Sequence, residues 1–370
     1  MEIEQISPEK PISPENIKTA WNQANLVNNA IDNNEFTINK AEGFDNFEEI
    51  LPQIINTKMF IELPPERLKD SFDGKTQGEA LLGILSEKYV ENNEQTTVLD
   101  TLLKNNVSLV IAVQEGFIND PKIEEALKML NEKGMSPTLW IVLNDDLGYW
   151  TNKSNTEETL AKMKSVLEFV KSKDIKIEKI GLDYEPPLEM TKGLATGNIT
   201  KVLEEFKIYV NQTKEKRKHL FLQSHLDREL TQMMDTYNVK IETYVTTKEL
   251  RLLGNLLTFF PHRKSDIVPM AYTSVRTDGS EKVMTKMLDG INKNEFPAIG
   301  IVGNSEKTPG RDLRGPGTPE KHLSYDQLVF NFRRLLGRKN PFRSHYVFAL
   351  DGAETLNKVL DARLESIREN

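Results

Sequence analysis

Short apolar runs rich in β-branched residues alternate with helical periodicity from about residue 55 to the C-terminus. The runs are Lys58–Leu63, Val107–Val113, Thr138–Asn144, Ile177–Asp183, Val239–Val245, Asp266–Tyr272, Pro297–Val302 and His345–Leu350. Most are apolar without interruption, which suits parallel strands covered on both faces. Between them, Leu160, Met163, Leu167 and Val170 recur at helical spacing. So do Ile199, Leu203, Phe206 and Val210, and Leu356, Leu360, Leu364 and Ile367. Asp120 before Pro121 reads as an N-cap with proline at the first helical position, and Asn155 with Glu158 as a capping box. Gly134 and Gly337 fall where helices should stop. His219–Ser224 has the composition of a strand, but Leu220, Leu226, Leu230 and Met233 continue it as helix.

Eight strands with eight helical connections predict an α/β fold, a (β/α)8 TIM barrel over residues 55–370. Its core should contain Val110, Ile141, Ile180 or Leu182, and Ile299. The alternative, an open doubly wound sheet, lacks its usual support, because no G-x-G-x-x-G or Walker-type loop follows any strand. Residues 1–54 read as an N-terminal arm, irregular or partly helical, lying against the barrel. Ser7-Pro8, Pro11, Ser13-Pro14 and the asparagine-rich stretch from Asn22 to Asn39 leave it few apolar anchors.

Charge narrows the function. With 48 basic and 56 acidic side chains among 370 residues, the net charge is −8, against a nucleic-acid partner that needs a basic face. Cysteine is absent, which removes disulfides, thiol nucleophiles and cysteine-held metals. The five histidines sit at no metal-ligand spacing, so neither a metal nor a cofactor is expected. No apolar run is long enough to cross a membrane, and the acidic N-terminus does not read as a signal peptide. The expectation is a cytoplasmic protein, or a secreted one if the chain is trimmed, of open oligomeric state.

Active sites of such barrels lie at the C-terminal ends of the strands. Glu62, Gln114-Glu115, Asn144-Asp145-Asp146, Asp183-Tyr184-Glu185 and Asp351 all fall there, an acid-rich rim. Alternation puts Gly181, Asp183 and Glu185 on one face of the fourth strand, and Ile180, Leu182 and Tyr184 on the other. The apolar set suits the helix layer, so the acids face the barrel mouth. Two carboxylates that close do not ionise independently in a partly dry site. One should keep its proton near neutral pH, as a general acid must. Glu62, Asn144, Asp145, Trp150 and Asp351 are candidate substrate contacts, Trp150 with Tyr149 serving either as a sugar-stacking face or as an aromatic lid on the core. Pro269 inside the sixth strand implies a bulge near the pocket. The long loop Gly303–Tyr325, with Arg311 and Arg314, should help build the cleft, either gripping an anionic group or remaining solvated.

The run Glu178-Lys-Ile-Gly181-Leu-Asp183-Tyr-Glu185, followed two strands later by Met270-Ala271-Tyr272, resembles the chitinase-like glycoside hydrolases of family 18. Those enzymes carry Asp-x-x-Asp-x-Asp-x-Glu on strand four and Met-x-Tyr on strand six. The resemblance implies that Glu185 protonates the glycosidic oxygen while Asp183 orients a 2-acetamido group whose carbonyl is the nucleophile. It also implies that Tyr272 hydrogen-bonds that carbonyl and that Met270 lines the sugar site. Two positions depart from the pattern: Gly181 replaces an aspartate, and the eighth strand has no tryptophan. The partner implied is a carbohydrate substrate or ligand. A barrel that only binds sugar or protein, and a metal-assisted isomerase or lyase, are the other readings.

Overall fold

A computed structural model describes residues 56–91, 94–185, 222–246, 259–270, 297–301, 323–336 and 345–368, with a few isolated helical positions besides. The N-terminal arm, Tyr272, Gly337, the helical stripe from Ile199 to Val210, and Arg311 and Arg314 lie outside the described residues. In chain order the strands are β1 (Thr57–Ile61), an antiparallel hairpin of β2 (Lys88–Glu91) and β3 (Glu94–Thr97), then β4 (Val107–Val113) and β5 (Thr138–Ile141). There follow β6 (Lys179–Tyr184), β7 (Lys240–Thr246), β8 (Asp266–Met270), β9 (Ala298–Ile301) and β10 (His345–Phe348). From β4 to β10 each strand pairs in parallel with the next, and β1 closes the ring between β10 and β4. This is the closed eight-stranded (β/α)8 barrel that the apolar runs predict.

The helices are α1 (Pro65–Ser71), α2 (Gln77–Ser86), α3 (Val98–Lys104), α4 (Pro121–Glu132), α5 (Thr156–Ser172), α6 (Leu222–Tyr237), α7 (Tyr325–Leu336) and α8 (Ala353–Arg368). Asp120 caps α4, accepting from the Lys122 N–H at 2.9 Å. Its second oxygen accepts from the Gly78 N–H at 2.8 Å, so one carboxylate ties α2 to α4. Asn155 behaves differently from the predicted capping box. It makes no side-chain cap; its amide donates instead to the carbonyls of Leu147 and Trp150, both at 2.8 Å. Holding that loop satisfies more buried polar groups than capping α5 would. Nor does Pro269 produce the expected bulge. β8 stays in register with β7 through Val245↔Pro269, and the irregular register falls between β9 and β10. Among the described residues β8 meets β9 only at Met270↔Ala298, so little ladder is lost to the missing N–H.

Two buried clusters lie on opposite faces of the strands. The outer one joins Met59, Leu109, Leu139, Ile180, Leu182, Ile241 and Val347 to the helices. The inner one fills the barrel with Phe60, Val110, Trp140, Tyr244, Val268, Met270, Tyr346 and Phe348. Val110 is inside as predicted. Ile141, Ile180, Leu182 and Ile299 are buried in the outer layer, one position out of phase with inward Trp140, Gly181 and Ala298.

The floor of the barrel is polar. Lys58, fully buried, donates to Glu178 at 2.8 Å and to Thr138 at 3.3 Å, and lies 3.4 Å from Glu242. Glu242 also accepts from Lys179 at 3.1 Å and from the hydroxyls of Tyr244 and Tyr346, each at 2.7 Å. An aromatic layer adjoins it, in which Phe60 meets Trp140, Tyr244 and Phe348 at 5.2–5.7 Å between ring centres. Polar floor and aromatic layer leave the C-terminal mouth as the part of the barrel that can take a ligand.

Candidate functional site in the barrel mouth

β6 brings the acids to the mouth. Its register pairs Gly181 with Glu242 and Asp183 with Tyr244, which all face inward together. Tyr244 explains the glycine where the resemblance calls for aspartate. A Cβ on Gly181 would stand 2.7 Å from the ring Cε2 and 2.8 Å from the hydroxyl oxygen. Tyr244 is itself fixed by Glu242, so the ring has nowhere to go. Gly181→Ala is therefore expected to cost about 1–3 kcal/mol of stability by overpacking, measured by chemical denaturation.

Asp183 is 2% exposed, and its Oδ1 has no hydrogen-bond partner. Burial pushes its carboxyl well above the usual aspartate range, and the charges of Glu185 and Glu62 push it the same way. Glu185 and Glu62 are themselves buried, so the three acids share one poorly solvated mouth. Of the pair, Asp183 is the one whose protonated form burial and the neighbouring charges favour. Between the ordinary value of 3.8 and the raised one, the folded protein holds a proton that the unfolded chain has released. Stability falls as pH rises through that window. Asp183→Asn removes the titration, so its thermal midpoint should exceed that of wild type at pH 7 and approach it below the window.

Glu62 directly follows β1 and accepts a hydrogen bond from the Tyr149 hydroxyl, which in turn accepts from Gln114 at 3.1 Å. Arg67 on α1 donates to the Glu62 carbonyl; burial lowers its pKa against the opposing charges of Asp351 and Glu62. Asp351 accepts from the Thr355 hydroxyl at the start of α8 and reaches the cluster through Arg67.

The loop after β5 is tied to this arrangement. It makes a single turn at Asp145–Leu147, then sets Tyr149 at a φ of 60°, a left-handed conformation costly for a bulky residue. Tyr149 and Trp150 pack edge to face at 5.6 Å, both buried in the inner cluster. The Thr151 N–H then donates to the Asp183 carbonyl at 2.9 Å, stitching the loop to β6.

Of the predicted residues, Glu62, Asp183 and Glu185 come together, Met270 is buried in the inner cluster and Asp351 stands behind Arg67. Trp150 is part of an aromatic lid, Asp145 is exposed, and Asn144 lines a neighbouring groove. Gln114 was expected only as a rim residue and Tyr149 only as a stacking or lid ring beside Trp150; that both support Glu62, and that Arg67 joins them, was not visible from spacing. Only Gly148, which lets the loop turn at φ 94°, hints at a special conformation there. Among the described residues, no group of three His, Asp or Glu side chains is arranged to hold a metal ion.

Fold and mouth together define a (β/α)8 barrel with a carboxylate-lined C-terminal opening. No family model matches the chain, and no curated protein matches its sequence. Among solved structures it is similar to a D-tagatose 3-epimerase-like protein, at 10% identity and a TM-score of 0.38, over 85% of this chain and 99% of that one. A likeness so slight bears on neither substrate nor reaction. No described helix is long and apolar enough to cross a membrane.

Proposed function

We propose that this barrel is a glycoside hydrolase of chitinase-like type, acting on an oligo- or polysaccharide with Glu185 as general acid. The observation that carries the reading is the acid pair at the C-terminal end of β6, in which burial first, and then the charges of Glu185 and Glu62, favour the protonated form of Asp183. Glu185 stands two residues nearer the rim, where the glycosidic oxygen would lie. Passing the proton from Asp183 to Glu185 arms the acid, and ionised Asp183 then steadies positive charge developing on the sugar. Tyr272, in this reading, orients an acetamido carbonyl. The test is a panel of aryl glycosides, N-acetylglucosaminides included, with release of the aryl group as the readout.

One observation favours a barrel that binds sugar without cleaving it. Gly181, packed against Tyr244, leaves Asp183 without the neighbouring aspartate that the resemblance calls for, and the Tyr149 hydroxyl occupies Glu62. Binding on a glycan array with no turnover of any aryl glycoside would select that reading.

A further inference from the structure

A cavity of about 310 Å³ opens outside the ring between the end of β4, the single turn Phe117–Asn119 and α5. Its size is at the lower end of small-molecule sites. Outward-facing Val113 and Leu143 give it an apolar wall; Glu115, Asn144, Glu158 and Lys162 give it polar groups able to pair with hydroxyls. Lys162 comes from α5 and is partly buried, its Nζ donating to the Val142 carbonyl at 2.6 Å. One carbonyl engages one of its N–H groups, and Lys162 is among the side chains that line the cavity.

We propose that this groove binds a small polyhydroxy aldehyde or ketone, such as the open-chain form of a reducing sugar, and that Lys162 condenses with its carbonyl to form a Schiff base. The Nζ lone pair adds to the carbonyl carbon while the carbonyl oxygen gains a proton. The carbinolamine then loses that hydroxyl as water, and C=N forms. Amine and carbonyl become imine and water, with no change of oxidation state. Glu115 is the nearby carboxylate that takes the proton from nitrogen and returns it to the departing hydroxyl.

The charged groups lining the cavity with Lys162 are Glu115 and Glu158. Burial lowers the lysine to about 8, with Glu115 opposing the shift. Roughly a tenth of the amine is then neutral at pH 7, on the order of 10²-fold more than for an exposed lysine. Part of that gain is offset because a less basic amine is a weaker nucleophile, which leaves about a tenfold advantage. Nothing in this inference depends on Glu185 or on glycoside cleavage.

The experiment treats the full chain with glyceraldehyde and sodium cyanoborohydride and maps the reduced adducts by peptide mass spectrometry. Lys162 should be labelled about tenfold faster than the other lysines, with a rate that saturates in glyceraldehyde. Glu115→Gln should move the midpoint of its pH profile below that of wild type, since the charge that supports the ammonium is gone. Lys162→Arg should lose the fast adduct, and Glu185→Gln should keep it. Labelling of Lys162 at the rate of exposed lysines, a rate that never saturates, or an unmoved midpoint in Glu115→Gln overturns the proposal.

Discussion

Glu242→Ala is expected to destabilise the barrel by about 3–5 kcal/mol at pH 7, because it removes one partner of a buried ion network and leaves the others in place. Lys58, itself fully buried, would be left with Glu178 and Thr138 as its remaining hydrogen-bond partners. The hydroxyls of Tyr244 and Tyr346 would lose their common acceptor, and Tyr244 would lose the anchor that keeps its ring against Gly181. Burial by itself would raise the Glu242 carboxyl; Lys58, Lys179 and the two tyrosines hold it below its ordinary value of 4.5. A depressed folded value means that its contribution is present above about 4.5 and is lost as pH falls through the folded value. The gap between wild type and Glu242→Ala should therefore narrow in acid. Urea denaturation at pH 7 and at pH 3 measures both effects. A loss under 1 kcal/mol at pH 7 would mean that the aromatic layer holds the ring without help from the floor.

That floor also shows where sequence reading reaches its limit. The strands were legible because parallel strands buried on both faces are apolar throughout, and Val107–Val113 has the bounds of its run. The same property hides which face is inside. Ile141 and Trp140 are equally buried, so hydrophobicity cannot say that the indole points into the barrel. Polar residues gave a misleading cue as well. Lys58, Glu242 and Lys179 break apolar runs as exposed positions would, yet they compensate one another across the ring. β3, Glu-Gln-Thr-Thr, has no apolar alternation to announce it. On β6 the mixture of faces was informative, because acids alternating with Ile180, Leu182 and Tyr184 fit one orientation. The support for those acids was not legible. Tyr149 lies 87 residues from Glu62 and 35 from Gln114, distances over which only the closed barrel creates a contact. The strained φ that aims its ring leaves no mark on composition.

Glu185→Gln is expected to slow glycoside cleavage by on the order of 10²–10⁴-fold, the contribution of a positioned general acid. The amide has the size of the acid and keeps hydrogen-bonding capacity at the same atoms, but it has no proton to give. Folding should not suffer. Loss of the Glu185 charge relieves the like-charge pressure on buried Asp183, so the thermal midpoint should hold or rise slightly at neutral pH. Asp183 should then ionise at lower pH, because one of the two charges that push it up has gone. Asp183→Asn separates the roles. It leaves the acid in place but removes its proton source and its neighbour's charge, so turnover should fall and the acid limb of the pH profile should shift. Rates on aryl glycosides that leave without protonation provide the check on mechanism, since Glu185→Gln should spare them more than glycosides with poor leaving groups. Equal rates for Glu185→Gln and wild type, on a poor-leaving-group substrate that the protein turns over, would remove Glu185 from the chemistry.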